Sequence, residues 1–123
     1  MTHESNLHDI INENTIIYQI DRRVEFTNIA AIFKSYANLI NSKEYMNLKE
    51  LKNNSTQFIK GLKGNPISKN YPIVANENEI YMVNRLIVGL INYIDEKDIK
   101  PANFQRCINR AIKVYITEIM YYE

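Results

Sequence analysis

Apolar residues recur at helical spacing along most of the chain, and they are densest in residues 79–96, EIYMVNRLIVGLINYIDE. At about 100° per residue, Ile80, Val83, Ile87, Leu90, Ile91 and Ile94 fall on one side of a helix. Met82, Leu86 and Tyr93 extend that side one way and Val88 the other. So wide a stripe predicts a central helix contacted by several neighbours. Arg85, Gly89 and Asn92 make up the one strip that is not apolar. Inside such a helix Arg85 and Asn92 are expected as a buried polar strip, with Arg85 reaching a carboxylate such as Asp21 or Glu25. Glycine in mid-helix costs about 1 kcal/mol relative to alanine. Close approach of a neighbouring helix at Gly89, or a ligand beside Arg85, would offset that cost.

Four further units flank this helix. The unit from Ser5 to about Arg23 places Leu7, Ile10, Ile11, Ile17, Ile20 and, just beyond it, Val24 at gaps that suit an amphipathic helix capped at Ser5. The substring TIIYQI within it is also β-prone, so a strand at residues 15–20 is the rival reading. A second unit starts near Thr27, presents Phe26, Ile29, Ala30, Phe33, Tyr36, Ala37 and Ile40 on one face, and ends near Ser42. A third, NLKELKNNSTQFIKGLKG, aligns Leu48, Leu51, Phe58, Ile59 and Leu62 and closes on Gly64, a natural residue just past a helix end. Its internal Asn53-Asn54-Ser55 could split it in two. Residues 64–78, with two prolines, form the longest irregular segment. A last helix opens at Pro101 and shares Phe104, Cys107, Ile108, Ala111, Ile112, Tyr115 and Ile119 on one face. The predicted architecture is an all-α bundle of about five helices, one domain over residues 1–123, with a small β-hairpin between residues 15–20 and 71–75 as the main alternative.

Composition narrows the function classes. A net charge of +1 gives no general attraction to nucleic acid or anionic lipid. The single Cys107 forms no internal disulfide, the N-terminal residues lack the basic and apolar regions of a signal peptide, and the apolar run is too short and interrupted to span a bilayer. These features predict a cytoplasmic location without membrane association. A bias to Ile, Asn, Lys and Tyr follows AT-rich coding and suggests a low-GC bacterium, phage or plasmid.

Charge is nevertheless segregated: residues 41–70 hold six lysines and two glutamates, a net +4. Lys49, Lys52, Thr56, Lys60 and Lys63 project within roughly 80° of one another on the third helix, and Lys69 follows in the loop. Arg106, Arg110 and Lys113, continued by Thr117, form a basic stripe on the last helix, and arginine can hold phosphate bidentately. Each stripe also suits a merely solvated face. Nine tyrosines and the apolar IMYYE ending point to contact with another chain.

Catalytic patterns are weak. His3 and His8 have no companion ligands, Cys107 lies on a core face without a nearby histidine, and no glycine-rich phosphate loop occurs. Glu77 with Glu79, and Asp95 with Glu96, look like loop charges at helix ends. No metal or cofactor is expected. The sequence therefore predicts a small non-enzymatic binding or regulatory protein that docks on a protein partner, in a phage, plasmid or defence-related setting. Lys49, Lys52, Lys60, Lys63, Lys69, Tyr71, Tyr121 and Tyr122 are its candidate contact residues, the last two also for self-association. The alternative is a nucleic-acid-binding helical subunit of a larger assembly using Arg106, Arg110 and Lys113.

Overall fold

The computed structural model describes residues 24–44 and 46–119, with Glu118 and Ile119 described by backbone alone. Residues 24–41 are helical and form α1; α2 runs Leu48–Leu62 and α3 Glu77–Glu96. A 3-10 turn at Pro101–Asn103 leads into α4, Phe104–Val114, which continues as a π turn over Tyr115–Ile119. The protein is thus an all-α bundle, with four helices among the described residues. The predicted helix at 5–23 and its strand alternative at 15–20 lie outside those residues. Among the described residues the β-pairing is a single antiparallel bridge, Pro66 to Val74, so the part of 71–75 that pairs does so within its own loop. No helix among them is long and apolar enough to cross a membrane.

The helix ends follow from local chemistry. Thr27 is not the start of α1, because the helix is already formed at Val24. Asn47 caps α2 by accepting from the Glu50 amide at 2.8 Å. Gly64, just past its end, takes a φ of 74°, where a side chain would be strained. Asn53-Asn54-Ser55 does not split α2. Asn54, Ser55 and Thr56 instead turn their side chains back onto the carbonyls of Glu50, Leu51 and Lys52, satisfying themselves inside the helix. At the end of α3 the Ile99 amide donates to Ile94 O and the Asp98 amide to Asp95 O, a double closure that places Asp98 at a φ of 50°.

The core is organised around α1 rather than α3. Eight residues of α1 are buried against five of α3. Tyr36 of α1 packs against Phe58 of α2 at 5.4 Å, and Phe26 and Phe33 pack against Tyr115 beyond α4 at 5.2 and 6.5 Å. Ile32, absent from the predicted face of α1, is fully buried. The buried stripe of α3 is Glu79, Val83, Ile87, Ile91 and Ile94, and half-buried Ile80, Met82, Leu86 and Leu90 pack against the core beside it. The predicted wide contact surface therefore forms over most of its span, with Val88, 47% exposed, and Tyr93, 51%, left outside it.

Arg85 and Asn92 are exposed, which overturns the expected buried polar strip. Arg85 lies over the Tyr81 ring at 5.8 Å rather than meeting an acid, and Glu25 accepts from Asn78 instead. This side of α3 faces solvent. A Cβ built at Gly89 meets nothing within 4 Å, so no helix approaches there.

Gly89→Ala should therefore raise stability by about 0.5–1 kcal/mol, read as an increased urea midpoint; a loss would restore the close-approach explanation. A second expectation concerns Tyr36. Its hydroxyl is 2.6 Å from Ser55 Oγ, and Ser55 donates its one proton to Leu51 O, so Tyr36 is the donor. Burial holds the Tyr36 phenol above its ordinary value of 10.0, the Ser55 hydrogen bond acting the other way. The folded state then keeps this proton where the unfolded chain loses it. The contribution is intact below about pH 10 and is lost as pH rises through the folded value. Melting temperatures from about pH 8 to pH 11 should fall more steeply for the natural chain than for Tyr36→Phe.

Candidate functional site

One lysine of the α2 stripe, Lys52, lines the edge of a groove between α2 and α3. Lys49, Lys52, Lys60 and Lys63 are all exposed, as the helical spacing requires. Lys52 and Thr56 meet Asn84, Val88 and Asn92 of α3 across a recess of about 320 Å³, floored by Ile59, Ile87 and Ile91. Exposed Val88 and Asn92, unexplained as core residues, thus become the far wall of this groove. No carboxylate occurs among the described residues that line it. Its character is an apolar floor with amide, hydroxyl and ammonium groups along the sides.

Lys69 and Tyr71 lie elsewhere, in a larger cleft of about 530 Å³ between α1 and the loop before α3. From α1 come Ala30, Ala31, Lys34, Ser35 and Asn38, and Ile116 contributes from beyond α4. The loop is shaped by its own backbone. Ser68 and Tyr71 exchange amide-to-carbonyl hydrogen bonds at 3.2 Å, and the Ile67 amide donates to Ile73 O at 2.9 Å. Ile67 and Ala75 anchor the loop in the core. Ser35 adds a long hydrogen bond to Ile67 O, 3.4 Å.

Tyr71 is held by a network that the sequence reading missed. Its hydroxyl donates to Asn28 Oδ1 at 2.6 Å, and Asn28 Nδ2 donates to Glu79 Oε2 at 2.7 Å. Glu79 Oε1 accepts from the Asn76 amide at 2.9 Å, while Asn76 Oδ1 accepts from the Glu79 amide at 2.8 Å. Glu79, expected as a loop charge, is 1% exposed. The last pair of bonds is a capping box, legible in advance as Asn-x-x-Glu at the head of an apolar run. What the pattern could not show was Asn28, one polar side chain on an otherwise apolar face of α1.

The arginine stripe makes a shallower feature. Arg106, Arg110 and Lys113 are exposed on the outside of α4, opposite buried Phe104, Ile108 and Ile112. Arg110 and Lys113 share an open recess with Val114 and Thr117; Arg106 does not line it. Tyr121 and Tyr122 lie outside the described residues. The lysine groove, the Lys69–Tyr71 cleft and the arginine recess share no lining residue. Cys107 is half-buried, and no group of three metal-ligating side chains occurs among the described residues.

The network makes a quantitative prediction. Asn28→Ala should cost about 2–3 kcal/mol, because it removes a donor from a buried carboxyl group. Tyr71→Phe should cost about 1 kcal/mol. The double variant should cost less than the sum, since the Tyr71 hydrogen bond ends on Asn28. Urea unfolding of the three variants measures the cycle, and strict additivity would show that the two bonds do not act together.

No known protein family, curated protein or solved structure matches the chain, so its function has to be read from this geometry.

Proposed function

We propose that the protein is a non-enzymatic binding protein that docks on a protein partner through the lysine-bearing face of α2 and the groove beside it. The observation that carries this reading is the groove itself, where Lys52 and Thr56 face Val88 and Asn92 over an isoleucine floor. An aliphatic floor with polar sides suits a side-chain anchor from a protein surface better than it suits a phosphate backbone. Val88 and Tyr81, 47% and 58% exposed, enlarge the apolar area beside it. The neighbouring lysines would select an acidic partner surface and speed encounter more than they would add affinity.

The second reading, nucleic-acid binding, is favoured by one observation: the α2 lysines and the α4 arginine stripe are both fully solvent-facing. The one salt bridge among the described residues is Lys100 with Asp98, so neither stripe is neutralised by an ion pair there. Regulation of a host or mobile-element process through such docking remains part of the proposal, as does self-association through Tyr121 and Tyr122.

Charge reversal separates the two readings. In affinity capture from cells of the source organism, Lys52→Glu with Lys60→Glu should reduce recovery of the specific protein partner by roughly tenfold or more. Arg106→Glu with Arg110→Glu should leave it unchanged. Nucleic-acid binding predicts the converse: retention of mixed DNA or RNA that weakens steeply with salt and is lost on reversing the arginines.

A further inference from the structure

The cleft beside α1 combines small side chains, an apolar flank and two lysines. Ala30 and Ala31 give its floor small side chains, which let another segment approach closely, and Ile116 supplies an apolar flank. Lys34 and Lys69 stand on opposite walls, and no carboxylate occurs among the described lining residues. We propose that this cleft is the docking site of the chain's own residues 7–20.

Three observations on the chain select that occupant. The first is charge. Residues 1–21 contain Glu4, Asp9, Glu13 and Asp21 and no lysine or arginine, and the cleft they would enter is cationic. The second is apolar content. Leu7, Ile10, Ile11, Ile17 and Ile20 are large aliphatic side chains whose exposure to water would be costly, and their spacing supplies a face to lay on the alanine floor. The third is tether length. Ile20 lies seven residues before Thr27, where the α1 part of the cleft begins, so the stretch is held near this cleft at high effective concentration. The α1 wall, from Thr27 to Asn38, is roughly 16 Å long, which a segment of this length can cover. The α2–α3 groove also has a lysine edge but lacks this direct tether.

The test uses the full chain. Amide exchange followed by mass spectrometry should show residues 7–20 protected in the natural protein. Lys34→Glu with Lys69→Glu should speed their exchange roughly tenfold, with peptides from the interior of α3 unchanged as the control for folding. Adding Asp9→Lys and Glu13→Lys to that variant should restore protection. A photo-crosslinking residue in place of exposed Asn38 should react with residues 7–20 of the same chain in a mixture of light and heavy protein. Exchange of 7–20 at the free-peptide rate in the natural chain would falsify the proposal. Protection that survives reversal of both lysines would also overturn it. Crosslinks joining light to heavy copies would assign the cleft to a second copy's segment instead.

Discussion

The Glu79 carboxyl group is the constraint on which the arrangement of this bundle depends. It is buried where α1, α3 and the preceding loop meet, so every hydrogen bond it lost to water must be returned by the protein. Asn28 returns one from α1 and the Asn76 amide returns one from the chain entering α3. The position is favourable for an acid for a further reason: it sits in the first turn of α3, where the unpaired amides of the helix end carry partial positive charge. A hydrophobic side chain there would fill the space but would not fix the angle at which the chain turns into the helix. The two-way bond between Asn76 and Glu79 does fix it, and Asn28 then ties that turn to one position along α1.

That tie reaches the surface through Tyr71. The Asn28 amide is used at both ends, donating to Glu79 and accepting from the Tyr71 hydroxyl. The loop is therefore held at its tip by Tyr71 and at its two shoulders by buried Ile67 and Ala75. Its exposed Lys69 is presented on a short turn closed by Ser68 and Tyr71, not on a free strand of chain. A core polar group thus determines where a surface charge stands. The lysines of α2 need no such device, because helical geometry alone aligns them.

Much of this was legible in the sequence, and the failures have physical causes. The face of α1, the continuity of residues 101–119 as helix, and the exposure of both basic stripes all follow from a period near 3.6 residues. The capping box was written in Asn76 and Glu79 but was passed over because acidic residues at helix ends are usually solvated. The apolar stripe of α3 marks the packed face over most of its width, but a helix buries only the arc that its neighbours cover. Val88 and Tyr93 are left outside, and Arg85 with Asn92 beyond them. Asn53-Asn54-Ser55 misled for the opposite reason, since short polar side chains disrupt a helix only when they compete for its bonds from outside. The cleft was foreshadowed only by Lys69 and Tyr71, because its other wall, with Lys34, is 35 residues away in sequence.

The exposed edge of α3 also bears on where function can reside. The helix packs eight apolar side chains in or against the core and still leaves Val88, Tyr81 and Tyr93 at the surface. Folding does not account for Val88, because replacing an exposed valine with a polar residue would cost the bundle little. The same holds for mid-helix Gly89, where nothing within 4 Å asks for the absence of a side chain. Both lie on the side of α3 that completes the lysine groove or adjoins it. Residues that the fold does not require, in or next to the recess that Lys52 edges, are what the proposed docking surface would account for.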